Sequence, residues 1–198
     1  MHIYICGNVC SGKTTVCNEL AKCLQGYDCV VEDNIQNYNF INYLSDSDSD
    51  AFSIQLLACV NKSDSIVSLA DNKDIIYERH LTELLISSKS LYETRNLTKM
   101  QYEIIKKFIK LFNKMFIEYK PDLIFYLKCN PKTTRERINR SSKYNTSEFT
   151  NQYIATLQKN YDEWFIDTLT HGRSYYINTE GRSPEYIVEK ILSIVNKK

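Results

Sequence analysis

The 198-residue chain has little glycine and proline (five and three), one tryptophan, three histidines and almost no excess of either charge. So few backbone breakers leave scarcely any material for a linker or low-complexity segment, and no internal repeat is present. The formal charge of +1, from 25 basic and 24 acidic side chains, gives no whole-molecule field toward nucleic acid or an anionic membrane, so neither is expected as a partner. No apolar run approaches the ~18 residues of a membrane span. The N-terminal Met1-His2-Ile3-Tyr4-Ile5-Cys6 has neither a basic leader nor a cleavage site, and the mature protein is expected to start there. The seven cysteines are odd in number, lack any Cys-x-x-Cys, and have only His2, His80 and His171 as co-ligands. They are expected to be free thiols in a reducing, cytoplasmic setting. Asp46, Asp48 and Asp50 imitate the first ligands of a calcium loop, but Ala51 and Leu57 occupy the glycine and bidentate-acid positions, so a solvated loop is expected.

What is present has the balance of a globular domain, with 43% hydrophobic and 25% charged residues. Short β-branched or aromatic runs at His2 to Cys6, Asp28 to Val31, Lys73 to Tyr77, Asp122 to Lys128 and Ser174 to Ile177 predict buried strands. Helical spacing lies between them, most clearly over Thr98 to Tyr119, where Ile104, Ile105, Phe108, Ile109, Phe112, Met115, Phe116 and Tyr119 share a face as core or subunit interface. A second stripe, Tyr153, Leu157, Tyr161 and Trp164, lies in Ser147 to Leu169 and reads as packing. Alternating strands and helices predict an α/β fold, a parallel sheet with helices on both faces. Ligands in such sheets bind at the carboxyl ends of the strands.

The first strand end carries Gly7-Asn8-Val9-Cys10-Ser11-Gly12-Lys13-Thr14, followed by Thr15, a complete G-x-x-x-x-G-K-T. It follows an apolar strand and opens the helical stretch Thr15 to Leu24, so loop N–H groups and a helix N-terminus converge on one anion. Lys13 is placed to bridge the β- and γ-phosphates of ATP and the Thr14 hydroxyl to hold Mg²⁺. Asn61-Lys62-Ser63-Asp64 spells a guanine-reading N-K-x-D pattern, but it sits in an amphipathic stretch before the third strand, and the chain has no D-x-x-G. A nucleotide-dependent switch or non-catalytic module is therefore the weaker reading.

Phosphoryl transfer needs an acceptor, a base and surrounding cations. The second strand runs into Glu32-Asp33, either of which could take a hydroxyl proton. The third ends in Tyr77-Glu78-Arg79, an acid able to hold a metal-bound water beside a guanidinium able to reach phosphate. After the fourth strand come Asn130-Pro131 and then Arg135, Arg137, Arg140 and Lys143, cations suited to a lid over ATP spanning about 132–148.

These segments, together with Pro121-Asp122-Leu123-Ile124-x-Tyr126-Leu127 and Tyr161-x-x-Trp164-Phe165, resemble the deoxynucleoside kinases, from residue 3 to about 180. The resemblance implies a single three-layer phosphate-loop kinase domain over 1–198, a five-stranded parallel sheet in the order 2-3-1-4-5, a homodimer, and transfer of the ATP γ-phosphoryl group to the 5′-hydroxyl of a deoxynucleoside. The family's base is a glutamate followed five residues later by an aromatic, an interval that selects Asp33 with Tyr38 here, while Glu32 has the family's side-chain length one place early. Gln55 and Lys62 reproduce the family's interval between a base-reading glutamine and a specificity-shaping arginine. Tyr43 is implied at the sugar 3′-hydroxyl. Two family lid arginines fall by count at Ser141 and Lys143, so Arg140 is a candidate through a shifted register. The runner-up activity is a thymidylate-type monophosphate kinase, a group that usually shows Asp-Arg where this chain has Glu78-Arg79.

Overall fold

The computed structural model describes residues 1–31, 51–68, 74–115, 121–141, 149–169 and 173–197. Five strands, β1 (His2–Gly7), β2 (Asp28–Val30), β3 (Ile75–Glu78), β4 (Leu123–Lys128) and β5 (Ser174–Asn178), form one sheet in the order β2-β3-β1-β4-β5. Every pairing is parallel, as expected from the alternation of strands with long crossovers. The strand ends shift by a residue or two from the sequence reading. β3 starts at Ile75 instead of Lys73 and runs through Glu78, which brings that carboxylate onto the strand itself.

Among the described residues the helices are α1 (Lys13–Cys23), α2 (Ala51–Ser68), α3 (Leu81–Glu93), α4 (Lys99–Met115), α5 (Pro131–Arg140), α6 (Asn151–Leu169) and α7 (Pro184–Val195). Local chemistry fixes several starts. Asn130 Oδ1 accepts from Thr133 N at 2.9 Å with Pro131 in the first turn of α5, and Ser183 caps α7 ahead of Pro184 in the same way. Helix α1 begins two residues earlier than its apolar spacing suggests, because Gly12 is its left-handed N-cap (φ 96°) and the loop runs straight into it.

The central strands β1, β3 and β4 are largely buried on both faces, and their alternation sorts the core into two layers. Ile3, Ile5, Ile76, Leu123, Phe125 and Leu127 face α1 and α7. Tyr4, Ile75 and Tyr77 face α2, α3 and α4, while Cys6 and Tyr126 meet α3 and α6. Tyr4 and Tyr77, register partners on neighbouring strands, stack at 4.7 Å. The stripe of α6 is packing as read, with Leu157, Tyr161 and Phe165 buried. Among the described residues no helix is long and apolar enough to cross a membrane. All seven cysteines carry free thiols.

Candidate functional site

The middle strand β1 delivers the phosphate loop at its carboxyl end, beside the ends of β3 and β4. Gly7 pairs with Leu127 and has φ 147°; a Cβ there would lie 2.3 Å from the Leu127 carbonyl oxygen and 2.8 Å from Ser11 Oγ. Glycine at this position is thus dictated by β4. Val9 packs against Ile138 and Ile154, tying the loop to α5 and α6, and Cys10 turns the chain with φ 54°. Ser11 Oγ is buried with no hydrogen-bond partner among the described residues, an orphan donor inside the cradle that suits a phosphate oxygen. Lys13 is 5% exposed, and its Nζ donates to the Asn8 carbonyl at 3.0 Å, across the loop. Thr15 points to solvent.

The third strand closes on this loop. Thr14 Oγ1 donates to Glu78 Oε1 at 2.9 Å, joining the first turn of α1 to the end of β3. Lys62 Nζ, from α2, donates to the Glu78 carbonyl at 2.5 Å. Arg79 follows in a left-handed conformation (φ 62°) with its N–H on the Ile5 carbonyl at 3.0 Å. Holding a non-glycine residue there costs about 1–3 kcal/mol, which the surrounding structure must sustain. The five residues Lys13, Thr14, Lys62, Glu78 and Arg79, drawn from three separate stretches of sequence, therefore meet at the ends of β1 and β3. The Thr14–Glu78 hydroxyl and carboxylate are oxygen donors of the kind a small hard divalent cation takes. Lys62 is inside α2, so Asn61-Lys62-Ser63-Asp64 forms no base-reading loop.

Two further groups at this junction escaped the sequence reading. Glu83 is fully buried, accepts from His80 N at 2.8 Å, Gly7 N at 3.4 Å and the Tyr161 hydroxyl at 2.9 Å, and thereby braces the first residue of the loop. Burial pushes its carboxyl pKa up, against the opposing pull of Arg79, the His80 N–H and Lys13. His80 caps α3 in a capping box with Glu83, and burial, then the Lys62 charge, lowers its pKa to about 3. The signal was the His-x-x-Glu interval, obscured because histidine is not among the usual capping residues.

Gln55, on α2, has its carboxamide oxygen accepting from Ser87 Oγ at 2.9 Å and Ser88 Oγ at 3.2 Å on α3, which fixes the amide beside the sheet end. The candidate lid cations part company. Arg137 donates to the Cys10 carbonyl and the Thr179 carbonyl, each at 3.1 Å, and so lies against the phosphate loop with no carboxylate partner among the described residues. Arg135 is turned to the Phe149 carbonyl and to Asn151 Oδ1 at 2.8 Å, bridging α5 to the start of α6. Arg140 is exposed at the end of α5, and Ser141 is its C-cap. The segment 131–140 is regular helix, as a helical lid carrying these basic residues requires. Glu32, Asp33, Tyr38, Tyr43 and Lys143, with the acidic triplet Asp46, Asp48 and Asp50, lie outside the described residues.

The family model described as deoxynucleoside kinase matches residues 3–196. Among solved structures, one similar chain is a deoxyadenosine kinase from M. mycoides with the products dCMP and a flexible dCDP bound, 25% identical, with TM-score 0.85 and full coverage of both chains. The same enzyme with bound dATP is 27% identical with TM-score 0.80, covering 99% of this chain and 100% of that one. With bound dCTP it is 26% identical with TM-score 0.81 and full coverage of both. No curated protein sequence matches.

Proposed function

The chain belongs to the deoxynucleoside kinase family and is an ATP-dependent kinase of deoxynucleosides, and on that premise we propose how its own residues carry out transfer to the 5′-hydroxyl. The reading rests above all on one observation, the 2.9 Å contact that sets the Thr14 hydroxyl against the Glu78 carboxylate at the mouth of the phosphate loop. The N–H groups between Cys10 and Thr14, with the N-terminus of α1, hold the β-phosphate, and Lys13 leaves the Asn8 carbonyl to bridge the β- and γ-phosphates. Thr14 and Glu78 would hold Mg²⁺, which supplies charge neutralisation at the transferring oxygens. Arg79 and Arg137 bring guanidinium charge from opposite sides; Arg137 is suited to this because both its present partners are neutral carbonyls.

The acceptor enters beside β2 and β3. Asp33, with Tyr38 at the family's interval, takes the 5′-hydroxyl proton; Glu32 is the competing base. Both follow in sequence within three residues of Val30, the last residue of β2 and the register partner of Tyr77. Gln55 reads the base edge with Lys62 beside it, and Tyr43 meets the sugar 3′-hydroxyl. Residues 1–198 act as one kinase domain, with 132–148 as its lid, Arg140 and Lys143 included. The relatives were solved with deoxyadenosine and deoxycytidine nucleotides, which supports a base bearing an exocyclic amino group. A homodimer is supported by the apolar side chains that α2 and α4 leave exposed, and a cytoplasmic location by seven free thiols.

The test is transfer from γ-labelled ATP to the four deoxynucleosides and, in parallel, to their monophosphates, with Lys13→Ala as control. Label should appear in deoxynucleoside monophosphates and vanish with Lys13→Ala. Transfer confined to the monophosphates would replace this reading with a monophosphate kinase. Asp33→Asn and Glu32→Gln assign the base: the former should lose turnover and the latter keep most of it.

A further inference from the structure

Behind the phosphate loop, five polar side chains form one directional hydrogen-bonded chain from the surface to the loop. Lys128 Nζ donates to Asp162 Oδ2 at 2.8 Å, and the Tyr126 hydroxyl donates to Asp162 Oδ1 at 2.8 Å. Gln158 Nε2 donates to both Asp162 Oδ1, at 3.1 Å, and the Tyr126 oxygen, at 2.5 Å. Its carbonyl oxygen accepts from Asn8 Nδ2 at 3.2 Å, the other Asn8 Nδ2 hydrogen goes to the Ile154 carbonyl at 3.3 Å, and Asn8 Oδ1 accepts from Val9 N at 2.7 Å. Asn8, Tyr126 and Gln158 are each under 5% exposed.

The proton count closes along this chain. A carboxamide has one accepting oxygen and one donating amino group, and a carboxylate oxygen accepts, so Asp162 draws the Gln158 amino group toward itself. The Gln158 oxygen must then face Asn8, which forces the Asn8 amino group toward Gln158 and the Asn8 oxygen toward Val9. The two amides are thus held in one orientation from both ends, by Asp162, itself paired with Lys128, and by the Val9 N–H and Ile154 carbonyl at Asn8. The consequence reaches the phosphate site through the Asn8 main chain, whose carbonyl accepts from Ser11 N at 3.2 Å and Lys13 Nζ at 3.0 Å. Buried, fully satisfied networks of this kind rigidify what they touch.

We propose that Gln158 and Asp162 are positioning residues for the triphosphate site, acting through Asn8 to fix the loop and the starting position of Lys13 without touching nucleotide. The proposal rests on reading the loop 7–14 as the ATP site. The test therefore begins with ATP binding to the wild-type enzyme by calorimetry, since absence of binding there would refute the site and not the relay. Gln158→Leu keeps the volume and removes the relay; it should weaken ATP about tenfold while leaving deoxynucleoside affinity within about twofold. Asp162→Ala, at a partly exposed position, should weaken ATP about threefold by leaving the Gln158 amino group without its carboxylate and so loosening its hold on Asn8. Leu157→Ala, the neighbouring core residue on α6, is the structural control, lowering the melting temperature while leaving ATP affinity within about twofold. Unchanged ATP affinity in both Gln158→Leu and Asp162→Ala, or an equal loss in Leu157→Ala, would overturn the relay.

Discussion

At the scale of single residues, Gly7 is the most constrained position. The Leu127 carbonyl stands 2.3 Å from where a Cβ would be, and φ is 147°. Gly7→Ala is expected to destabilise the fold by about 2 kcal/mol or more and to abolish ATP binding, read by thermal melting and calorimetry. Thr14→Val removes the hydroxyl that faces Glu78 while keeping the side-chain shape. It should cost roughly a hundredfold in kcat/KM with little change in melting temperature, whereas Thr14→Ser should keep most activity. His80 sets an acid limit. Its pKa falls from 6.5 to about 3 on folding, so the stability it contributes is complete above pH 6.5 and is lost as pH drops toward 3, where only the unfolded chain has taken up the proton. His80→Asn keeps a capping side chain and removes that proton, so its melting temperature should fall less steeply over the same interval. The loop residues behind these predictions were legible because their spacing is rigid. Glu83 and Gln158 were not, since a buried acid and a buried amide look in sequence like ordinary helix polar residues until a partner far along the chain, Gly7 or Asn8, comes within reach.

At the scale of elements, strand identity and parallel pairing were legible because buried parallel strands are short apolar runs separated by long crossovers, whereas the sheet order came from the family resemblance. What pattern could not give was the ends: Glu78 belongs to β3 because its neighbours pair with β1 through Ile5↔Glu78, a tertiary fact. The basic run after β4 was legible as a helix, but its partners were not, for a related reason. Asn130 and Pro131 start a regular helix whose arginines reach carbonyls of the phosphate loop, of Thr179 just after β5 and of Phe149 just before α6, contacts invisible to charge counting. Helix α4 buries Ile105 and Ile109 and leaves Met100, Ile104, Leu111 and Met115 between 42% and 73% exposed, alongside Val60 and Val67 of the adjoining α2. An apolar face of that extent suits the proposed homodimer. Leu111→Glu should yield a monomer by analytical ultracentrifugation with the melting temperature of the separated subunit; an unchanged dimer would place the interface elsewhere.

For the whole molecule, the fold brings the loop after β1, the acid that ends β3, the guanidinium that follows it and the arginine of α5 to the carboxyl edge of the sheet. The resemblance implied that arrangement, and the described residues bring Lys13, Thr14, Glu78 and Arg79 to the phosphate loop with Gln55 and Lys62 on α2, while Glu32, Asp33, Tyr38 and Tyr43 are assigned by the resemblance. The most direct measurement of the central claim is phosphorus NMR of the wild-type enzyme with ATP, Mg²⁺ and a deoxynucleoside. Conversion of the ATP γ-signal into a deoxynucleoside 5′-monophosphate, blocked when the substrate's 5′-oxygen is methylated, is the predicted result. Release of inorganic phosphate alone, or transfer that survives the blocked 5′-oxygen, would contradict it.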